Sequence, residues 1–460
     1  MIERNQTGPK QKPIVSAVLD DGTLIEAIYR PSDHHTMLVS WRDGIINELR
    51  AIELPLLGHV VPFSPTNNLL THGVVLLPSE ATGYASTSEL LAEVRSFIHR
   101  YADLSEAFEE IASYYVLLTW IYDAFNEVPY LRLRGDYGTG KSRCLLTIGS
   151  LCYKPMFASG ASTVSPLFRI IDAFRGTLVV DESDFRFSDA KAEIIKILNN
   201  GNAAGFPVLR SEATPTKEFN PRAFNVFGPK IIATRGAFDD RALESRCITE
   251  TMNGLPPRAD IPLNLPRRFH DEARALRNQL LMYRFNNRNA EWNLGAERDA
   301  GVEARIAQVF APLVAIAEDP RAQERIRELA RGKSGVLAAE RSASVEAQLL
   351  DIMFHMRRDQ VPLGVGEITE RFAQRFASDY QRPITARWIG AQLRNRLSLV
   401  PVKSHGTFMI SAAEEPKLHS LFERYHAGDD SGDVGRLEPA GSVSATQSFR
   451  KPRTDRGTGQ

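Results

Sequence analysis

The stretch Gly135, Asp136, Tyr137, Gly138, Thr139, Gly140, Lys141, Ser142 constrains this chain more than any other. It satisfies G-x-x-x-x-G-K-[ST], and it falls between PYLRLR, which reads as a strand, and KSRCLLTIGSLC, which reads as a helix. A glycine-rich turn at that junction lets successive backbone N–H groups converge on an anion at a helix N-terminus. Lys141 adds a positive charge for the β- and γ-phosphates, and Ser142 adds a hydroxyl for Mg2+. The pattern predicts a nucleotide-binding loop over Gly135 to Arg143, with ATP and Mg2+ as ligands. An ordinary Gly-rich helix cap is the alternative.

The segments that follow alternate: PMFAS as a short strand, SPLFRIIDAF as a helix, TLVVDE as a strand, AKAEIIKILNN as a helix and PKIIAT as a strand. CITETM follows as the last strand. Alternation of this kind implies a parallel sheet covered by helices, an α/β core. Thr177 to Val180 end in Asp181 and Glu182, which places two carboxylates at the carboxyl edge of the sheet, where ligands of open α/β folds bind. Asp181 is expected to hold Mg2+ indirectly. Glu182 is expected to orient and deprotonate an attacking water, with a solvated strand-end carboxylate as the alternative.

At 460 residues the chain exceeds what one core usually organises. Residues 1–85 read as a small β-rich N-terminal unit, because short apolar runs alternate with turn signals such as Asp20-Asp21-Gly22 and Asp43-Gly44. Helical periodicity over 87–103 and 105–125 opens a nucleotide-binding core spanning 86–252, and a Pro-rich entry then leads into a helical lid over 253–343. From 344 to 426 three helices precede a β-hairpin, the order of a winged helix. The tail, 427–460, has scarcely any apolar residue and is expected to be disordered.

Cys144, Cys152 and Cys247 are odd in number and lack paired short spacings, which argues against a disulfide framework or structural zinc. Adjacent His34 and His35 have no suitably spaced partners for a metal and read as turn residues. No apolar run approaches the roughly 20 residues that span a bilayer, and the N-terminus lacks a secretory signal, so no membrane contact and a cytoplasmic location are expected.

The order of GDYGTGKS, LVVDE, IIATRG and DRALESRCI resembles that of the AAA+ ATPases. Within them it is similar to replicative helicases of the superfamily-three and minichromosome-maintenance type, especially those of phages, plasmids and other mobile elements. The resemblance covers about residues 115 to 285. It implies that Thr234, where such proteins more often carry Asn, senses the γ-phosphate. It further implies that Arg246, or alternatively Arg241, reaches a neighbouring subunit's ATP, although arginines near helix ends are often merely solvated. A finger acting in trans implies a homo-oligomer, a hexamer. Arg277 is a candidate second sensor or a lid salt bridge.

Lysine plus arginine equals aspartate plus glutamate at 56 each, so any argument for nucleic acid is local. GFPVLRSEATPTKEFNPRAFNVFG reads as a hairpin inserted before PKIIAT, and in the similar helicases such a hairpin grips the DNA backbone. Arg210 and Lys217 are the candidates, with Arg222 a third; a solvated surface hairpin is the alternative. Residues 382–404 hold Arg382, Arg387, Arg394, Arg396 and Lys403 without Asp or Glu. Ile384, Trp388, Ile389 and Leu393 line one face of that helix, Arg387 and Arg394 point outward, and Lys403 and His405 lie on the wing. Winged helices also bind proteins. The whole predicts an ATP-hydrolysing DNA motor or DNA-remodelling ATPase. A DNA-binding regulator or initiator that does not unwind, and a protein-remodelling scaffold, are the alternatives.

Overall fold

The computed structural model describes residues 11–55, 57–160, 162–181, 189–211, 221–238, 240–254, 256–294, 301–342, 344–377, 380, 383–404 and 406–425. Glu182, Lys217, Arg382, His405 and the 427–460 tail lie outside the described residues. The chain forms two compact units, 1–337 and 338–460.

The first unit is organised by a five-stranded parallel sheet in the spatial order Cys247–Met252, Tyr130–Gly135, Lys230–Thr234, Leu178–Asp181, Met156–Ser159. The inner strands are largely buried, as expected of strands covered by helices on both faces, and Tyr130–Gly135 takes the Arg132 side chain into the interior with it. Helices Lys141–Gly149, Val164–Phe174 and Asp189–Asn200 make the connections. Helix Thr87–Tyr101 starts where the Ser86 hydroxyl accepts from Glu89 N–H, and helix Glu106–Trp120 where Ser105 accepts from Phe108 N–H. From Ile111 onward the second of these is buried on all sides, so it serves as an internal helix of the core.

The N-terminal strands form a three-stranded sheet (Lys12–Ile14, Gly58–Pro62, Ile52–Leu54) and a four-stranded antiparallel one (Ser16–Val18, Leu24–Arg30, His35–Arg42, Ile45–Leu49). Leu24 and Ile28 join the core around helix Glu106–Trp120, while Ile25, Ala27 and Tyr29 join the core that contains Met156 and Phe168. Strand Leu24–Arg30 is therefore buried on both faces. Val75 bridges Met156, and Phe157 N–H donates to Val74 O at 2.9 Å, which covers the outer edge of the parallel sheet. The expected boundaries at 85 and 252 both fall inside this one unit.

Helices Arg268–Asn287, Ala304–Ile316 and Pro320–Ser342 occupy the expected lid region. The first is pinned by buried charge. Arg284 donates to Glu26 at 2.6 Å, to both carboxylate oxygens of Asp123 at 2.7 and 2.9 Å, and to Trp120 O at 2.6 Å. Glu26 also pairs with Lys154 at 2.8 Å, so one network ties an N-terminal strand, the sheet's connections and the lid.

In the second unit helices Val345–Arg358, Val365–Phe376 and Ala386–Asn395 precede a hairpin of Pro401–Ser404 with Thr407–Ile410, in the predicted order. Ile389 and Leu393 join Met353, Ile368 and Phe372 in its core, and Trp388 packs its ring against Phe372 and Tyr380. A further helix, Glu415–Tyr425, buries Leu418 and Phe422 in the same core.

Candidate functional site

Strand Tyr130–Gly135 delivers the loop to the carboxyl edge of the sheet. Gly138 (φ 76°) and Gly140 (φ 86°) adopt left-handed backbone that side chains resist. Gly135 is confined differently: a Cβ there would lie 2.7 Å from Met252 O and 2.8 Å from Thr139 Oγ1. Gly140 is the N-cap residue of helix Lys141–Gly149 and brings no capping side chain. The first-turn N–H groups are thus left for an anion.

Lys141 is only 8% exposed, and its ammonium donates to Gly135 O at 2.7 Å and Asp136 O at 2.5 Å. Burial pulls its pKa below the ordinary lysine value. Asp181 and Asp136 oppose that pull, and the charge of Arg235 adds to it. Thr139 Oγ1 donates to Asp136 O at 3.0 Å, and Tyr137 stands 84% exposed at the tip of the loop.

Ser142 Oγ donates to Asp181 Oδ2 at 2.5 Å, so the structure brings together the two residues assigned to Mg2+. A hydroxyl and a carboxylate are hard oxygen donors, and a Mg2+ site commonly takes one or two protein ligands and completes its shell with water and phosphate. This donor pair fits that ion. Among the described residues no group of three or more His, Cys, Asp or Glu could hold a metal. His34 sits in a turn at φ 47°, and Cys144, Cys152 and Cys247 are free and buried.

Thr234 ends the strand that lies between the loop strand and the Asp181 strand, with Thr234 beside Arg134 and Ala233 beside Asp181. Its hydroxyl donates to Gly236 O at 2.9 Å, which commits its proton within its own turn. Arg235, the next residue, is exposed and its charge is felt at Lys141. Its place in IIATRG was the available signal for it.

Several candidates are committed elsewhere. Arg143 donates to Pro262 O at 2.9 Å and Leu263 O at 2.7 Å, so its side chain anchors the segment entering the lid. Arg246 is 8% exposed and donates to Asn199 Oδ1, while Asn199 Nδ2 donates to Asp240 Oδ2 at 2.5 Å. Arg246 immediately precedes strand Cys247–Met252 and bonds within its own chain, and burial lowers its pKa. Arg241, the first residue of helix Arg241–Glu244, is exposed and its N-cap is Asp240. Arg277 donates to Ser150 O at 2.6 Å. That acceptor is at the far end of the nine-residue loop helix, about 13 Å from the loop at 1.5 Å per residue. Arg277 therefore caps that helix.

The inserted hairpin pairs Val208–Ser211 with Pro221–Phe224 antiparallel. Arg210 pairs with Glu193 at 3.2 Å and lies 5.3 Å from the Phe168 ring, and Arg222 lies 3.8 Å from Asp172. Both arginines, opposite each other in the ladder, lie near acids of the same unit, whereas Phe206 and Leu209 are exposed. In the second unit Arg387, Arg394 and Lys403 are all exposed, and Arg396 lies 3.5 Å from Glu346.

The five-stranded parallel sheet with its helices, glycine loop and acidic strand end is compatible with an α/β P-loop fold. No family model matches the chain, and no curated protein matches it. Among solved structures, the A form apo structure of the NrS-1 C-terminal region is similar at 11% identity and TM-score 0.35, over 84% of this chain and 97% of that one. The X-ray structure of JCV helicase is similar at 16% identity and TM-score 0.24, over 55% of this chain and 61% of that one. Drosophila ORC bound to DNA is similar at 13% identity and TM-score 0.18, over 75% and 95%. No helix among the described residues is long and apolar enough to cross a membrane.

Proposed function

We propose that the chain is an AAA+ ATPase that binds ATP with Mg2+ at Gly135 to Ser142 and uses its hydrolysis to move along or remodel DNA, as a replicative-helicase-like protein of a mobile element. The observation that carries this is the 2.5 Å contact of Ser142 Oγ with Asp181 Oδ2, beside Lys141 and at the uncapped N-terminus of the loop helix. Ser142 and Asp181 would hold Mg2+, which when bound neutralises charge on the phosphate oxygens. The first-turn N–H groups and Lys141 bind the phosphates. Glu182, next in sequence after Asp181, orients and deprotonates water.

In a ring of six copies, Arg241 or Arg246 completes the neighbour's site, and the exposure of Arg241 favours it. Lys217 and Arg210 on the hairpin, and Arg387, Arg394 and Lys403 on residues 344–426 acting as a winged helix, contact the DNA backbone. One observation favours a second reading, in which the C-terminal unit docks a protein: Val400, Val402 and Phe408 are exposed on or beside its hairpin. The test is phosphate release with and without single-stranded DNA, together with strand displacement. DNA-stimulated hydrolysis that disappears in Lys141→Ala supports the motor. Absence of binding to single- and double-stranded DNA at low salt sinks it and leaves the protein-docking reading.

A further inference from the structure

Lys230 opens the strand that ends at Thr234, and it is fully buried. Its ammonium donates to Gly201 O at 3.0 Å, Val226 O at 2.9 Å and Gly228 O at 2.9 Å, so three N–H groups meet three carbonyls one for one. Gly201 directly follows helix Asp189–Asn200, and Val226 and Gly228 follow strand Pro221–Phe224. These are the two roots of the inserted hairpin. Gly228 N–H also donates to Gly201 O at 3.0 Å, closing the roots on each other.

An apolar side chain would serve the sheet at this position, since a buried ammonium is costly unless every donor is satisfied. The lysine instead ties the two hairpin roots to its own strand. Its backbone is fixed as well: Lys230 N–H donates to the Tyr115 hydroxyl at 2.9 Å, and that hydroxyl donates to Lys230 O at 2.9 Å. The strand is paired on both sides, to Tyr130–Gly135 and to Leu178–Asp181, the two strands that carry the phosphate loop and the metal-site carboxylate. Over its five residues, about 13 Å of rise, it runs from the hairpin roots to the edge where Thr234 and Arg235 stand.

We propose that Lys230 is a positioning residue that couples the phosphate site to the inserted hairpin, so that a displacement of strand Lys230–Thr234 at its Thr234 end moves both hairpin roots together. The function of that coupling rests on the proposed nucleotide and DNA roles; the coupling itself is testable without DNA. Because the three native cysteines are buried, a cysteine placed at exposed Leu209 gives a selective attachment point for a fluorophore on the hairpin.

The experiment measures that fluorophore's response in the full chain to a non-hydrolysable ATP analogue against ADP, in Leu209→Cys alone and with Lys230→Met or the milder Lys230→Gln. Affinity of the analogue is measured in parallel. The expected result is a nucleotide-dependent change that falls at least fivefold in both Lys230 variants while analogue affinity stays within twofold, a coupling in the usual allosteric range. Gly201→Ala, whose Cβ would lie 2.4 Å from Lys230 Nζ, should reproduce the loss. A change of wild-type size in Lys230→Met or Lys230→Gln overturns the assignment, as does the absence of any change with native Lys230. A single-stranded oligothymidylate is added as a separate arm. If it fails to bind while the nucleotide-dependent change is present and Lys230-dependent, the hairpin's DNA role fails and the coupling stands.

Discussion

Glu26→Gln should be among the most damaging single substitutions in the first unit, and its cost follows from the partners it strands. Glu26 is buried, 2.8 Å from Lys154 Nζ and 2.6 Å from Arg284 Nε, and it accepts from the Tyr153 hydroxyl at 2.7 Å. Arg284 keeps Asp123 after the substitution; Lys154 keeps only uncharged partners, Val15 O and the Tyr153 hydroxyl. Removing one member of a buried ion pair generally costs about 3–5 kcal/mol. The lower end applies here, because burial already pulls Lys154 to about 8. Shedding its proton at pH 7 costs on the order of 1 kcal/mol, after which no unpaired charge remains on it.

The pH dependence of that cost has a definite sign. Between about pH 8 and 10.5 the unfolded chain binds the proton that folded Lys154 has released, so this group makes the wild type more stable as pH rises. In Glu26→Gln the folded pKa falls further, and the deficit is about 1 kcal/mol smaller at pH 9 than at pH 7. Urea unfolding at both pH values, followed by tryptophan fluorescence, reads this out, since Trp41, Trp120 and Trp292 all belong to the first unit. A loss below about 1 kcal/mol at pH 7 would show that the network contributes little.

Other expected outcomes follow from the same geometry. Arg246→Ala should lower stability by about 1–3 kcal/mol through the lost buried bond to Asn199. Exposed Arg241→Ala should stay within about 0.5 kcal/mol of wild type yet depress hydrolysis when the two are mixed; thermal melts beside mixing assays of phosphate release decide between them. Burial alone would raise Asp123, but Arg284 and Arg288 overcome it and hold its carboxyl below the ordinary 3.8. Its stabilisation is therefore present above that value and lost as pH falls through the folded pKa. Asp123→Asn should be less stable at neutral pH and show a flatter acid-unfolding profile below about pH 3.8 by circular dichroism.

Element order in the core was legible because each element announces itself locally. TLVVDE and PKIIAT hold apolar runs of strand length, PYLRLR alternates leucine with arginine, and Ser86, Ser105, Ser344 and Thr385 cap helices where the helical patterns start. The Ser142 and Asp181 partnership was legible too, since a loop motif and a strand-end acid both belong at the carboxyl edge of a parallel sheet. What stayed hidden depends on contacts between distant residues. Glu26 and Arg284 are 258 positions apart, and no local pattern marks either as buried. LIEAIYR does not alternate, because both faces of that strand are covered, so the merging of the N-terminal strands into the main unit was invisible. The direction of Arg246 and Arg277 depended on Asn199 and Ser150 lying within reach, which spacing along the chain does not encode.

The central claim is that Gly135 to Ser142 binds nucleotide phosphates with Mg2+. Calorimetric titration of ATP into the full chain, with and without Mg2+, tests it most directly when run beside Lys141→Ala and Asp181→Ala. The account predicts saturable binding in wild type that is lost at least tenfold in Lys141→Ala, and a Mg2+ contribution that disappears in Asp181→Ala. Wild-type protein that binds no ATP, or Lys141→Ala binding as tightly as wild type, would contradict it.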